Sequence, residues 1–251
     1  MKTKNNLRPE KIVSYVVSIL LFIGFAVFVA LRQQRPFNLS LLSGYTDIMI
    51  EGYFFTIGIA LISLFGSVIL GFLLYLLIST KFIAFKAFVD VFTEIIYGTP
   101  LLVMIVAMAF MIGPAFNIYE RGIMGIMGLT IYITPYMTNI FKSAFSSIGD
   151  EQYMAMDLFG FTGFQRYRYI IIPQVIRILM PPLMNNFSLI IKGSALLSVI
   201  SFTELYYSIQ IAQSRTFAYA EGYIIMWALY LMITIPLSQL TKWLERRWSL
   251  E

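Results

Sequence analysis

Long uncharged runs alternate with short polar connections along this chain. A membrane-spanning helix needs about 20 consecutive apolar residues, because each residue advances the helix by about 1.5 Å. Five uncharged runs reach that length and a sixth is interrupted only by Lys192: Ile12–Leu31, Tyr53–Thr80, Ile95–Tyr119, Gly122–Phe141, Ile178–Thr203 and Gly222–Thr241. The pattern predicts an all-α integral membrane protein with six transmembrane helices.

Basic residues are unevenly divided between the two alternating sets of connections. One set holds thirteen lysines and arginines, whereas the other holds Arg32, Arg35, Arg121 and Arg215. Basic residues concentrate in the loops on the cytoplasmic side of a membrane. The distribution therefore predicts that both termini and the connection at 150–177 are cytoplasmic.

Composition narrows the classes of function. Hydrophobic residues make up 59% of the 251 residues and charged residues only 12%, whereas soluble domains carry roughly 25% charged residues. Cysteine and histidine are both absent, which removes thiolate nucleophiles, sulfur metal ligands and the commonest general base. We therefore expect neither catalytic residues nor a metal site. The net charge of +5 comes mostly from basic residues at the ends of the runs, so it reflects topology and does not indicate a nucleic-acid partner.

The connection between the fourth and fifth runs has a pattern of its own. Asp150 suits the N-terminal cap of a helix, and Gly160 suits the left-handed residue that ends one. A short helix over about residues 151–159 is therefore predicted, with apolar side chains in a segment too polar to cross the membrane. Such a helix either rests on lipid headgroups, with Arg166 and Arg168 touching phosphates, or docks into a groove on a soluble partner.

This segment resembles the coupling loop in the permease subunits of binding-protein-dependent ABC importers, which follows the pattern E-A-A-x3-G-x9-I-x-L-P. The aligned positions are Met154, Ala155, Met156, Gly160, Ile170, Ile172 and Pro173, with Gln152 just upstream. Three further segments resemble the polar-amino-acid branch of these importers. They are Gly98-Thr99-Pro100-Leu101-Leu102-Val103; Pro173-Gln174 with Arg177, Pro181-Pro182 and Asn185; and Lys192, Ser194, Leu196, Ser198, Ile200, Glu204 and Leu205.

The resemblance implies a type I importer fold, with a five-helix core, an extra N-terminal helix and a short cytoplasmic coupling helix. Residues 1–49 would hold a cytoplasmic tail, the extra helix and an external loop, and residues 50–248 the transmembrane domain with its coupling loop at 150–173. Implied partners are a cytoplasmic dimer of ABC ATPase subunits, a second permease subunit in a homo- or heterodimer, an extracellular or periplasmic solute-binding protein and the lipid bilayer. No cofactor is expected in this chain, since ATP and Mg²⁺ would be bound by the ATPase. The implied location is a bacterial-type plasma membrane.

The implied function is to form the translocation path for a polar amino acid or similar small solute and to couple ATPase motion to transport. Two groups of candidate residues are assigned to these tasks. The ATPase-coupling group is Gln152, Tyr153, Met154, Ala155, Met156, Asp157 and Gly160. The path or substrate group is Glu94, Thr99, Pro100, Asn139, Asn185, Lys192, Ser194 and Glu204.

The chain departs from the family at positions where its relatives carry charge. Tyr97 stands where an arginine precedes the Gly-Thr-Pro motif, Asn139 and Gly193 stand where acids occur, and Met154 stands where glutamate begins the loop pattern. These departures alter either substrate specificity or only coupling.

Ionisable residues inside a span cost roughly 2.5–3.5 kcal/mol each on insertion scales, so each needs a reason. Glu94 is the only acid at a depth comparable with Lys192, which predicts an interaction between them, direct or through water. Glu204 either lies at the external water surface or contacts the binding protein or the mouth of the path. Pro100 is expected to kink the third span, and Pro181-Pro182 to mark where the chain turns to re-enter the bilayer.

The alternative function is an ion-gradient-driven secondary transporter or channel, because six helices with few buried charges permit it. That alternative leaves the pattern of the coupling loop unexplained, and the sequence shows none of the inverted repeats common in such proteins. An intramembrane enzyme is disfavoured, since histidine, cysteine and carboxylates paired within one span are lacking.

Overall fold

Helices make up nearly all of the protein in a computed structural model, which describes residues 9–32 and 36–248. No strand occurs within those ranges. In chain order the principal helices are α1 Pro9–Leu31, α2 Thr46–Ile78, α3 Ile83–Gly98, α4 Leu101–Ala107, α5 Arg121–Ser146, α6 Asp150–Leu158, α7 Ile172–Gly193, α8 Leu205–Thr216 and α9 Tyr219–Trp248. Other turns extend them: 3₁₀ turns at Leu39–Tyr45 and Ser194–Ile200, π turns at Met108–Ile112 and Arg166–Ile171, and short α turns at Gly113–Ala115 and Gly163–Gln165.

Three helical segments of the described chain are long and apolar enough to cross a membrane. They are Leu39–Ile78, Gly163–Ile200 and Tyr219–Arg247. The pair Ile83–Gly98 and Leu101–Ala115 adds a fourth if it counts as one span. The all-α membrane fold is therefore confirmed with three or four candidate spans, and the count of six stays a prediction.

The predicted third span, Ile95–Tyr119, is wrong as a single helix. The chain breaks at Thr99 and Pro100, and the axes on either side are bent by 106°. Pro100 forces the residue before it out of the helical region, and Thr99 is extended, with φ −100° and ψ 122°. The Thr99 hydroxyl donates to the Ile95 carbonyl oxygen at 2.7 Å, which satisfies an acceptor at the end of α3. The expected kink is thus a complete break.

The predicted turn at Pro181-Pro182 is also wrong, because both prolines lie inside α7. Each proline removes one backbone hydrogen bond from the helix. The carbonyl oxygens that lose their usual donors are those of Arg177 and Ile178, four residues before each proline. One turn after the prolines, the side chain of Asn186 donates to the Pro182 carbonyl oxygen at 3.0 Å. α7 packs along both α5 and α9, and this packing holds the helix together through the two prolines.

The largest apolar cluster joins α2, α4, α5 and α7, with Leu129 and Ile190 fully buried at its centre. The most extensive packing between two helices is that of α2 against α5. A second cluster joins the 3₁₀ turn Leu39–Tyr45 to α2, α8 and α9. It seats α8, a helix that the sequence did not predict, against α2.

Gly52 marks the closest approach of α2 to α8, because a Cβ atom there would collide with the side chain of Ser208. We expect Gly52→Ala to lower the free energy of unfolding by about 1–3 kcal/mol, since the two helices must separate. Gly58→Ala is the matched control on the same helix, because a Cβ there meets no atom within 4 Å. That control should be neutral or stabilise by about 0.5–1 kcal/mol. Thermal unfolding in detergent measures both, and an unchanged midpoint for Gly52→Ala would contradict the packing.

Candidate functional site

The connection between α5 and α7 contains the short helix α6, which ends in a Schellman motif. Gly160 has φ +66°, the left-handed conformation that its position predicted. Its N–H donates to the Asp157 carbonyl oxygen at 3.0 Å, and the N–H of Phe161 donates to the Met156 carbonyl oxygen at 3.0 Å. At the other end Gly149 is the cap, so the prediction of Asp150 as cap is wrong by one residue. Asp150 is the first helical residue, where its carboxylate faces the positive end of the helix dipole.

Met156 anchors α6 to the membrane helices. Its side chain is 2% exposed and packs in a cluster with Ala144 and Ile148, at the end of α5, and with Ile171 and Val175, around the start of α7. One short helix is therefore attached by one side chain to two long helices.

Two polar contacts add to this anchor. Gln152 and Gln174 exchange amide hydrogen bonds, at 2.9 Å and 3.3 Å, which tie α6 directly to α7. Asp157 forms an ion pair with Arg166, and the Nε of Arg166 also donates to the Phe161 carbonyl oxygen at 3.0 Å. Within the described ranges this is the only ion pair.

The outer side of α6 is apolar and exposed. Met154 is 57% exposed, Leu158 88% and Phe159 80%. Tyr153 is half-buried beside the anchor, and burial raises the pKa of its phenol above the ordinary value of 10. The exposed Ala155 completes this side of the helix, which presents apolar side chains to the surroundings of the loop.

The candidate path residues divide into exposed and buried groups. Glu94, Asn139, Asn185 and Lys192 are exposed on the single chain. Asn185 and Lys192 lie seven residues apart on α7, and so share one face of that helix. Thr99 and Pro100 form the break between α3 and α4.

Ser194 and Glu204 lie in the interior, with no exposed surface. Ser194 donates to the Ile191 carbonyl oxygen at 2.8 Å. The prediction that Glu204 reaches water, the binding protein or the path mouth is therefore wrong. Its carboxylate caps α8, accepting from the N–H groups of Tyr206 and Tyr207 at 2.9 and 2.8 Å, and from the Tyr230 hydroxyl at 3.1 Å.

The direct pairing of Glu94 with Lys192 is not observed. Both side chains are exposed, and the described residues contain no ion pair between them.

Asn139 instead contacts a residue that sequence reasoning had not placed in the path. Its side-chain nitrogen donates to the Tyr97 hydroxyl at 2.6 Å, joining α5 to α3. Tyr97 also packs on Tyr136, with ring centroids 5.0 Å apart. The sequence does place Tyr132, Tyr136 and Asn139 on one face of a helix, because they are spaced by four and three residues. Their meeting with Tyr97, 42 positions from Asn139, depends on the fold.

A family model described as "Binding-protein-dependent transport system inner membrane component" matches residues 68–250. The chain is 30% identical over 210 residues to the probable glutamine ABC transporter permease protein GlnM of Bacillus subtilis (strain 168), with 84% of this chain and 97% of that protein covered. It is 31% identical to the histidine/lysine/arginine/ornithine transport system permease protein HisM of Salmonella typhimurium, with 79% and 91% covered.

Solved structures show the same architecture. The crystal structure of an amino acid ABC transporter with histidines has a TM-score of 0.75 and 29% identity, and the match covers 85% of this chain and 100% of that chain. An inward facing conformation of the MetNI methionine ABC transporter has a TM-score of 0.58 at 17% identity, covering 79% and 97%. The second match supports the fold alone. The fold is that of a type I ABC importer permease.

The left-handed turn at Gly160 is testable by substitution. Gly160→Ala should strain the end of α6 by about 1–2 kcal/mol, since an L residue is disfavoured at that φ. Amide hydrogen exchange across residues 150–161 should then accelerate roughly five- to thirtyfold. Gly163→Ala is the control in the same loop, because its φ is not positive and a Cβ there meets no atom within 4 Å. Equal exchange in the two variants would contradict the role of Gly160.

Proposed function

Because the chain belongs to the family of binding-protein-dependent transport system inner membrane components, we propose that it lines the path of an amino acid and transmits the motion of an ATPase to that path. As a member of this family it is the non-catalytic membrane subunit of an ABC importer, and the ATPase is a separate subunit. ATP and Mg²⁺ are bound by that ATPase. The names of the relatives, which concern glutamine and basic amino acids, support an amino acid as the solute.

The attachment of α6 to two membrane helices carries this proposal. Met156 is buried between the end of α5 and the start of α7, and the Gln152–Gln174 pair ties α6 to α7 again. A displacement of α6 therefore moves both helices. α5 carries Asn139, whereas α7 carries Asn185 and Lys192, so motion applied at the loop reaches the exposed polar residues of the membrane domain.

The chemistry of α6 favours a protein groove over lipid headgroups. Its nine residues include Asp150, Glu151 and Asp157 and no basic residue. Helices that lie on membrane surfaces carry lysine and arginine on their polar face, because lipid surfaces are anionic. The exposed apolar side chains at Met154, Leu158 and Phe159 suit insertion into an apolar groove on the ATPase.

The exposed polar residues support a second permease subunit as a partner. Asn139, Asn185 and Lys192 cannot face hydrocarbon without a large cost. We place them on a water-filled path enclosed by two permease subunits, in a homo- or heterodimer. The solute-binding protein docks on the opposite side from α6, both termini are cytoplasmic, and the chain crosses a bacterial-type plasma membrane six times.

Docking through α6 predicts that Leu158→Ser weakens the affinity for the ATPase by about ten- to a hundredfold. The physical reason is the loss of roughly 1.5–3 kcal/mol of apolar burial when the leucine no longer fills a groove. The measurement is co-purification with the ATPase at a series of concentrations, together with ATP hydrolysis stimulated by the binding protein.

Phe82→Ser is the matched control, because Phe82 is 69% exposed in the connection before α3 and lies outside the coupling loop. It should leave both readouts unchanged. Full ATPase affinity in the Leu158→Ser variant, or an equal loss in both variants, would contradict docking through α6. Failure of the wild-type chain to associate with any ABC ATPase would contradict the proposed function itself.

A further inference from the structure

A strip of uncharged polar side chains runs along one face of α5. Tyr132, Tyr136 and Asn139 are spaced by four and three residues, which places them on the same side of the helix. Tyr97 of α3 lies against this strip, since its hydroxyl accepts from the Asn139 side chain at 2.6 Å and its ring centroid is 5.0 Å from that of Tyr136. Tyr136 in turn is 6.1 Å from Tyr132.

The strip faces outward from the single chain. Asn139 is exposed, and Tyr97 is 42% exposed. The Asn139 amide has one partner in Tyr97, and its remaining N–H and carbonyl oxygen would cost several kcal/mol if they faced hydrocarbon unpaired. These groups therefore face either water or another protein surface, which is the position of the path in the function proposed above.

The polar groups of Tyr97 and Asn139 keep donors and acceptors that form no hydrogen bond within the described chain. The Tyr97 oxygen accepts from Asn139, so its own hydroxyl hydrogen remains able to donate. Asn139 keeps a second N–H donor and its carbonyl acceptor, and within residues 9–32 and 36–248 no side chain bonds to either. Donor and acceptor groups thus lie side by side, flanked by aromatic rings and without charge.

We propose that Tyr97 and Asn139 form a subsite that binds the uncharged polar side chain of the transported amino acid, a carboxamide or a hydroxyl. The proposal rests on the proposed function and adds the class of substrate. A carboxamide offers one acceptor and one donor, which match the Tyr97 hydroxyl and the Asn139 amide. The rings of Tyr97, Tyr132 and Tyr136 cover the methylene groups of the ligand.

Charge explains the selectivity. The nearby carboxylate of Glu94 is assigned to the ammonium group of the ligand, so a charged side chain at Tyr97 and Asn139 would lose hydration without gaining a further opposite charge, whereas a neutral polar one exchanges hydrogen bonds with water for equivalent ones with the protein. Glu94 lies three residues before Tyr97, and so on the same side of α3. Its exposed carboxylate suits the ammonium group that every amino acid carries.

The experiment measures binding of radiolabelled glutamine, lysine and glutamate to the purified permease–ATPase complex without the binding protein, so that the permease alone selects. We expect glutamine to bind at least about tenfold more tightly than the other two. Tyr97→Phe keeps the ring and removes one donor, and should weaken glutamine binding about tenfold. Asn139→Asp keeps the shape and adds a negative charge, and should shift the preference toward lysine.

Tyr75→Phe is the matched control, because its ring stacks on Phe145 at a centroid distance of 4.9 Å, away from the strip. It should leave all three affinities unchanged. Equal binding of glutamine, lysine and glutamate by the wild-type complex would overturn the subsite, as would no measurable binding of any of them. An equal loss for all three in Tyr97→Phe would show that the hydroxyl only joins two helices, and would overturn it too.

The outcome separates this subsite from the proposed function. A complex that stays assembled and hydrolyses ATP in response to the binding protein, yet shows no preference for glutamine, contradicts the subsite alone. A chain that binds no ABC ATPase contradicts both.

Discussion

A polar group buried in an apolar domain costs free energy unless it is hydrogen-bonded within the protein, and this constraint explains how α2, α8 and α9 are held together. Glu204 shows it most clearly, since its fully buried carboxylate accepts from two backbone N–H groups of α8 and from the hydroxyl of Tyr230 in α9. The N–H of Leu205 donates to the Thr56 hydroxyl of α2 at 3.0 Å. Three helices are thereby held at one point. At the break between α3 and α4, the hydroxyl of Thr99 satisfies a carbonyl oxygen in the same way.

The same constraint distinguishes buried polar groups, which stabilise the packing of the helices, from exposed polar groups on the surface of the single chain. Groups with partners inside the chain, such as Ser194 and Glu204, are buried and belong to the packed scaffold. Asn185 and Lys192 remain exposed, and so does Asn139 even though its side-chain nitrogen donates to the Tyr97 hydroxyl, so these three residues form an exposed polar surface of the single chain. The connection that contains α6 is joined to this surface by apolar packing at Met156, which attaches α6 to the two helices that carry those residues.

Sequence patterns predicted those helices and helix ends that are determined by residues close together in the chain. Long apolar runs gave α2 and α9, and a glycine after a short polar helix gave the end of α6. Tertiary packing decided the rest. Pro181 and Pro182 remain helical because α7 is packed on two neighbours, and Glu204 is buried because α8 folds back against α2, which no local pattern indicates. The contact of Tyr97 with Asn139 joins positions 42 residues apart. The sequence shows that Tyr97 and Asn139 each depart from the family pattern. That the two side chains contact each other could be known only from the fold.

Transport by the reconstituted complex tests the central claim most directly, namely that ATPase motion reaches the path through this chain. Proteoliposomes would contain this chain, its ATPase and the binding protein, with ion gradients collapsed by ionophores. The account predicts that radiolabelled amino acid accumulates only when ATP is supplied on the side of α6. Accumulation driven by an ion gradient without ATP, by the chain alone, would contradict it.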